Sequence, residues 1–231
     1  MKITVLGAGP GGYVAAIKAA QLGAEVTVIE ESEVGGTCLN WGCIPTKTLI
    51  ASAEVLHKAR NAQSYGLELN GTVSPNIQKI VERKNKVVDT QVKGIRGLFK
   101  SWGVRLIEGR GVIVGPGKIK VTAKDGSVEE VDSDSIIIAT GSRPARIPVF
   151  PFDGKRIISS DNAINPDSIP KSLLIVGAGV IGCEFAFIYK EFGAEVTMVE
   201  MMPNAVSTED EEISQILERE LKKKKITLLT K

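Results

Sequence analysis

Cys38 and Cys43 stand five residues apart in the run 35–47, Gly-Gly-Thr-Cys-Leu-Asn-Trp-Gly-Cys-Ile-Pro-Thr-Lys. Two thiols at that separation can carry redox chemistry by closing and opening a small disulfide ring. A regular helix would prevent it. Five residues at about 1.5 Å rise separate the Cα atoms by roughly 7.5 Å, beyond the roughly 7 Å that a disulfide spans. If the two pair, the backbone between them must bend; Gly42 tolerates the bend, and Pro45 suits the first turn of a following helix. So short a ring restricts the unfolded chain little, which makes exchange chemistry a better reason for it than stability. The ordinary reading of an isolated pair is two buried, inert thiols. Three neighbours weigh against it: the glycine pair at 35–36 lets a ligand approach the backbone, Thr37 offers a hydroxyl, and the charge of Lys47 favours a thiolate.

These residues need elements to hold them, and the chain supplies one immediately upstream. Residues 2–6 read as a short buried strand, Gly7, Gly9 and Gly12 form GxGxxG, a helix follows over about 11–22 and stops at Gly23, and a strand over 25–29 ends at Glu30. Strand, glycine turn, helix, strand and acid in that order are the dinucleotide-binding fingerprint: the glycines admit the pyrophosphate, the helix N-terminus favours its charge, and the acid takes a ribose. The pattern recurs. After a strand at 171–176 come Gly177, Gly179 and Gly182, and 193–200 echoes 23–30, so that Gly7 to Gly177 and Glu30 to Glu200 are the same step of 170 residues. Two dinucleotide sites follow, and a carboxylate at Glu200 favours the ribose hydroxyls of NAD over the phosphate of NADP.

Between the two fingerprints, a helix is expected over 47–62 with Leu49, Ile50, Ala53 and Leu56 on one face, and a second from Ser74-Pro75 to about 100. The apolar stripe of the second, Ile77, Ile80, Val81, Val87, Val88, Val92, Ile95 and Leu98, reads as core packing. Strands at 104–107, 111–114, 119–122 and 128–131, separated by Gly109, 115–117 and 125–126, read as a small antiparallel meander. A buried strand at 135–139 runs into Thr140-Gly141, and the proline-rich 144–151 reads as a linker. His57, the single histidine, reads as a surface or packing residue, and Cys183 as a buried structural thiol. A helix at 212–225 and a strand at 226–229 close the chain.

A net charge of +2 and 43% hydrophobic residues describe an ordinary globular chain. No basic stripe interleaved with aromatics points to nucleic acid, and the lysines at 222–225 suit a solvated helix end. No apolar stretch approaches the roughly 20 residues of a membrane span, and Met1-Lys2 leads straight into a strand rather than a signal peptide. A cytoplasmic protein is expected, and in that compartment a disulfide is usually transient and catalytic.

The motif GGTCLNWGCIPTK closely resembles the redox-active segment of the class I pyridine nucleotide-disulfide oxidoreductases, most nearly the dihydrolipoamide dehydrogenases, and the resemblance runs from Met1 to Lys231. Glutathione reductases, which typically carry lysine at the position of Thr46, and mercuric reductases are the alternatives. The resemblance implies an α/β architecture: a Rossmann-like FAD-binding domain over 1–146 with the small meander, then part of a Rossmann-like NAD-binding domain over 147–231. It implies FAD on the first fingerprint and NAD on the second, with Gly36, Thr37, Cys38, Lys47, Gly111, Thr140 and Gly141 also at the cofactor. Cys38 becomes the interchange thiol, Cys43 the thiol facing the flavin, and Glu184 the partner of Lys47. The implied reaction oxidises dihydrolipoamide on the lipoyl domain of a 2-oxo acid dehydrogenase complex or glycine cleavage system, in a homodimer. The family's returning FAD segment and dimerisation domain, the latter with its acid-base histidine, have no counterpart here. The expectation is therefore a truncated fragment that binds nucleotide without turnover.

Overall fold

The structure, a computed structural model, describes all 231 residues. The chain divides into two compact units that interleave along the sequence: Met1–Pro45 with Asn85–Phe150, and Thr46–Lys84 with Pro151–Lys231.

In the first unit β1 (Lys2–Leu6), helix α1 (Pro10–Gln21) and β2 (Glu25–Glu30) form the expected strand-helix-strand. β1 and β2 are parallel, with Lys2 opposite Glu25 and Leu6 opposite Ile29. Val5 and Val28 are wholly buried, and burying each contributes about 1.5–3 kcal/mol. The remaining strands are β3 (Arg105–Gly115), β4 (Lys118–Ala123), β5 (Val128–Asp132) and β6 (Ser135–Ile138), and the sheet order is β5-β4-β3-β2-β1-β6. The face made by Leu6, Ile29 and Ile107 is covered by Ile119, Val121 and Val131 of the meander.

Several expectations need correction: β6, expected to be buried, leaves Ile138 66% exposed, and two others concern a glycine and a helix face. Gly109 does not separate two strands: β3 runs straight through it, parallel to β2 in its first half and antiparallel to β4 in its second. A Cβ on Gly109 would lie 2.4 Å from the carbonyl oxygen of Thr122, so this glycine permits close cross-strand approach rather than a turn. The second concerns the long helix α4 (Ile77–Ser101). Ile77 and Ile95 of its stripe are buried, but Leu98 is 45% exposed and Phe99 takes the core position at 2%. Ile95 and Phe99 are one helical turn apart, whereas Leu98 has rotated off that line.

The other helix reaching from the redox segment, α3 (Cys43–Arg60), starts four residues earlier than expected, with Pro45 in its first turn. In the second unit β7 (Ser172–Val176), α6 (Val180–Phe192) and β8 (Glu195–Val199) repeat the pattern of β1, α1 and β2. Helix α7 (Glu211–Lys223) and strand β9 (Thr227–Leu229) complete a parallel sheet β7-β8-β9. Registers repeat as well: Ser172 faces Glu195 as Lys2 faces Glu25. Tyr189 of α6 donates its hydroxyl hydrogen to the Ala163 carbonyl at 2.8 Å, which satisfies a buried phenol. No helix is long and apolar enough to cross a membrane.

Candidate functional site

The first glycine turn is built by close backbone approach. Gly7 sits at φ +100, and a Cβ there would meet the Ala139 carbonyl oxygen at 2.2 Å; a Cβ on Gly12 would meet the Gly7 carbonyl oxygen at 1.8 Å. Gly9 caps α1 in an extended conformation, and Pro10 occupies the first helical position, where no backbone donor is needed. Glu30 is 8% exposed. Its Oε2 accepts the Ala8 amide at 2.7 Å and its Oε1 the Ser32 amide at 2.8 Å. The acid thus ties the end of β2 to the turn. A carboxylate offers about four acceptor sites, so two remain for ribose hydroxyls.

The second turn repeats this. Glu200 accepts the Ala178 amide at 2.7 Å and the Met202 amide at 2.8 Å. The Met202 amide, then that of Ala178, hold its carboxyl below the usual carboxylate range against the opposing effect of burial. A Cβ on Gly182 would strike the Gly177 carbonyl oxygen at 2.2 Å, while around Gly177 and Gly179 nothing lies within 4 Å of such a Cβ. Bare backbone at a helix N-terminus suits a pyrophosphate, so both turns fit dinucleotides.

The redox segment is seated on the first turn. The Gly35 amide donates to the Ala8 carbonyl at 2.8 Å, and a Cβ on Gly36 would come within 2.5 Å of the Gly9 Cα. A short helix α2 (Gly36–Asn40) carries Thr37 and Cys38; it ends at Trp41, whose amide bonds the Thr37 carbonyl at 2.8 Å. The chain then turns at Gly42, where a Cβ would lie 3.0 Å from the Thr37 carbonyl oxygen and 3.2 Å from the Cys38 Cα, and α3 begins at Cys43. The interruption between α2 and α3 supplies the bend that a continuous helix would forbid. Cys43 is exposed and Cys38 half-buried. Ser142, just past Thr140 and Gly141, accepts the Thr37 hydroxyl through its carbonyl at 3.5 Å, a long contact. Gly111 has a packing role of its own, since a Cβ there would meet Leu6 Cδ2 at 2.7 Å.

The first unit contains Gly7, Gly9, Gly12, Glu30, Gly36, Thr37, Cys38, Cys43, Gly111, Thr140 and Gly141, and the second contains Lys47, Glu184, Gly177, Gly179, Gly182 and Glu200. Within the second, Lys47 and Glu184 form an ion pair; the lysine side chain is 59% exposed and the glutamate 23%. An ion pair so open to water stabilises by less than about 1 kcal/mol. Its weight lies in where it holds charge.

Cys183 is buried, as expected. Burial first, then the charges of Glu200 and Glu184, push its thiol up to about 11, and its sulfur bonds the Ala178 carbonyl at 3.4 Å. Alkylation requires the thiolate. At pH 8 iodoacetamide is expected to label exposed Cys43 at least about 100-fold faster than Cys183, with the difference lost in denaturant; peptide mass spectrometry checks this. Because the folded thiol is raised above its unfolded value, its contribution to stability is complete below pH 9 and is lost as the pH rises toward 11.

Three features escaped the sequence. His57 has an acid partner: Glu191 Oε2 lies 3.2 Å from its Nδ1 and 3.2 Å from Lys224 Nζ, and Arg60 donates to the Glu191 carbonyl at 2.6 Å. These residues are 134, 33 and 131 apart in sequence, so no local pattern announces them. A polar cleft of about 460 Å³ opens beside Glu31, Ser32, Arg110, Lys124 and Arg143, where Arg143 pairs with Glu31 at 2.7 Å. The third is Asn40, between the cysteines, whose amide bonds the chain ahead of it.

Comparison with known proteins agrees with this geometry. The family described as pyridine nucleotide-disulphide oxidoreductase matches residues 1–231. The chain is 43% identical over 230 residues to a dihydrolipoyl dehydrogenase of Zymomonas mobilis, covering 99% of this chain and 49% of that protein. It is 44% identical over 236 residues to a dihydrolipoyl dehydrogenase of Bacillus subtilis, covering 99% of this chain and 50% of that one. The crystal structure of LpdA from Mycobacterium tuberculosis superposes with a TM-score of 0.89 at 32% identity, covering 100% of this chain and 51% of that chain. The chain spans about half the length of the curated relatives it matches.

Proposed function

The chain belongs to the pyridine nucleotide-disulphide oxidoreductases, and from that premise we propose that it is the portion of a dihydrolipoyl dehydrogenase that carries the redox pair, with FAD on the first glycine turn and NAD on the second. The observation that carries the reading is the seating of the thiol-bearing turn on the first fingerprint, through the Gly35 amide to the Ala8 carbonyl and the contact of Gly36 with Gly9. A dinucleotide held on that turn would lie beside the dithiol, which supports the reading. The domain division at 146/147 is part of the same proposal.

In the whole protein, a thiolate of dihydrolipoamide attacks Cys38 Sγ of the Cys38–Cys43 disulfide and releases the Cys43 thiolate. The second lipoyl thiol then displaces Cys38, so that lipoamide leaves oxidised and the cysteines are left reduced. FAD, when bound, supplies the two-electron chemistry linking that dithiol to NAD. Gly7, Gly9, Gly12 and Glu30 would hold its adenosine diphosphate portion, with Gly36, Thr37, Gly111, Thr140 and Gly141 around the rest. Gly177, Gly179, Gly182 and Glu200 would hold NAD. The Lys47–Glu184 pair keeps a positive charge available while limiting its motion. The lipoyl group of a 2-oxo acid dehydrogenase complex or glycine cleavage system is the proposed substrate carrier, and a homodimer the proposed assembly.

The test is the visible spectrum of the purified chain incubated with FAD and passed through gel filtration. A flavin band that travels with the protein is the expected outcome, and NADH is expected to bind at least about tenfold more tightly than NADPH because the Glu200 carboxylate repels the extra phosphate. A colourless protein overturns FAD binding by this portion. Equal affinity for the two pyridine nucleotides overturns the role of Glu200.

A further inference from the structure

Asn40 takes no part in the exchange described above, yet its side chain ties the redox turn to the segment that precedes it. Its Nδ2 donates to the Val34 carbonyl at 3.1 Å and to the Gly36 carbonyl at 3.0 Å. Both partners are acceptors, which fixes the orientation of the amide: turned over, its oxygen would face two other oxygens. The bonds flank Gly35, which stands at φ +98 and is followed by Gly36 at φ +59. Glycine loses more freedom than other residues when ordered, and a five-residue helix has few internal hydrogen bonds to order it. The Asn40 amide supplies two more, one on each side of the corner.

The same corner bears on the first nucleotide turn at Ala8 and Gly9, and α2 carries Cys38 two residues before Asn40. Two residues after it, Gly42 lies against the Cys38 backbone and leads directly to Cys43. The two Asn40 bonds therefore bear on the corner from which α2 presents Cys38.

We propose that Asn40 is a positioning residue for the redox pair: its paired bonds to Val34 and Gly36 hold Cys38 where ring closure onto Cys43 needs little further ordering. The inference rests on the reading of Cys38 and Cys43 as a redox disulfide. Its consequence is an equilibrium. In a glutathione buffer, one glutathione disulfide oxidises the two cysteine thiols to the ring and is itself reduced to two glutathione thiols, and Asn40 shifts that balance toward the ring.

The 231-residue chain is equilibrated over a range of glutathione ratios, and the Cys38–Cys43 disulfide is quantified by alkylation and mass spectrometry. The wild type is compared with Asn40→Asp, Asn40→Ser and the control Asn61→Ala, which removes a side-chain bond to the His57 carbonyl at 2.8 Å, remote in sequence from the pair. Asn40→Asp is expected to lower the ring-closure constant at least tenfold and Asn40→Ser by less. Asn61→Ala should leave it within twofold. Should Asn40→Asp not fold, Asn40→Ser decides. Ring closure within twofold of wild type in the Asn40 variants, or an equal drop in Asn61→Ala, overturns the proposal. A wild type that forms no Cys38–Cys43 disulfide at any ratio overturns the functional reading itself, and the proposal with it.

Discussion

Gly12→Ala is expected to destabilise the first unit by about 3 kcal/mol or more, at the upper end of what overpacking costs, and to abolish FAD retention. For a chain of this size the melting temperature should fall by roughly 6–12 °C. The reason is a single distance. The added Cβ, fixed directly to the helix backbone, would sit 1.8 Å from the Gly7 carbonyl oxygen, itself a backbone atom that cannot step aside. Relief requires α1 to rise off β1, yet Val5 and Ala16 are wholly buried in the core between those elements. The turn would open just where a pyrophosphate needs close approach. Gly23→Ala is the control: φ is +87 there and nothing lies within 4 Å of the added carbon, so the cost is confined to backbone strain of about 1–2 kcal/mol and FAD should still bind. Calorimetry with gel filtration reads both effects. A Gly12→Ala chain that melts within about 2 °C of wild type, a shift worth less than about 1 kcal/mol, and keeps its flavin would show that the turn is looser than its geometry.

On the proposed function, replacing Cys38 or Cys43 is expected to lower dihydrolipoamide oxidation by the whole protein by about four orders of magnitude or more, as loss of one member of a catalytic unit does. The double variant should be no worse than either single one, because groups that act as a unit do not contribute additively. The two singles should nevertheless differ in what they trap. With Cys43→Ser, attack through Cys38 stalls at a mixed disulfide, since the resolving thiol is missing; with Cys38→Ser no such adduct should form at Cys43. Exposure alone argues the other way, because Cys43 is the open residue and Cys38 the half-buried one. Incubation with a linear disulfide reagent, whose leaving thiol departs and cannot displace the cysteine again, in the presence of FAD, followed by peptide mass spectrometry, separates the possibilities. An adduct on Cys43 in Cys38→Ser, formed as readily as that on Cys38 in Cys43→Ser, would overturn the division of roles, and one formed more readily would reverse it.

The contrast between Gly12 and Gly109 shows where reading from the chain succeeds. Gly12 belongs to a spacing that repeats at Gly182, and each lies against the carbonyl of the glycine five residues earlier. The constraint is local, so the pattern carries it. Gly109 looks equally like punctuation, but its reason is the Thr122 carbonyl across the sheet. Nothing within several residues of Gly109 distinguishes a turn from a close crossing. Leu98 and Phe99 make the same point for a helix: periodicity places a stripe, but one residue of rotation decides which of two neighbouring apolar side chains enters the core.

The amino-acid sequence by itself determined the two strand-turn-helix-strand-acid units, their step of 170 residues, and the cysteine pair on a bend. Each is fixed by preferences acting over a few residues: glycine where φ is positive or backbones touch, proline at a helix start, alternation in a strand. The tertiary structure alone decided that Glu30 and Glu200 brace their own glycine turns, that residues 46–84 group with 151–231, and that His57 meets Glu191. It also decided that the redox turn rests on Ala8 and Gly9. Those contacts join residues 22 to 134 apart, and they depend on which faces the core buries, a property of the folded chain that no short stretch of it contains.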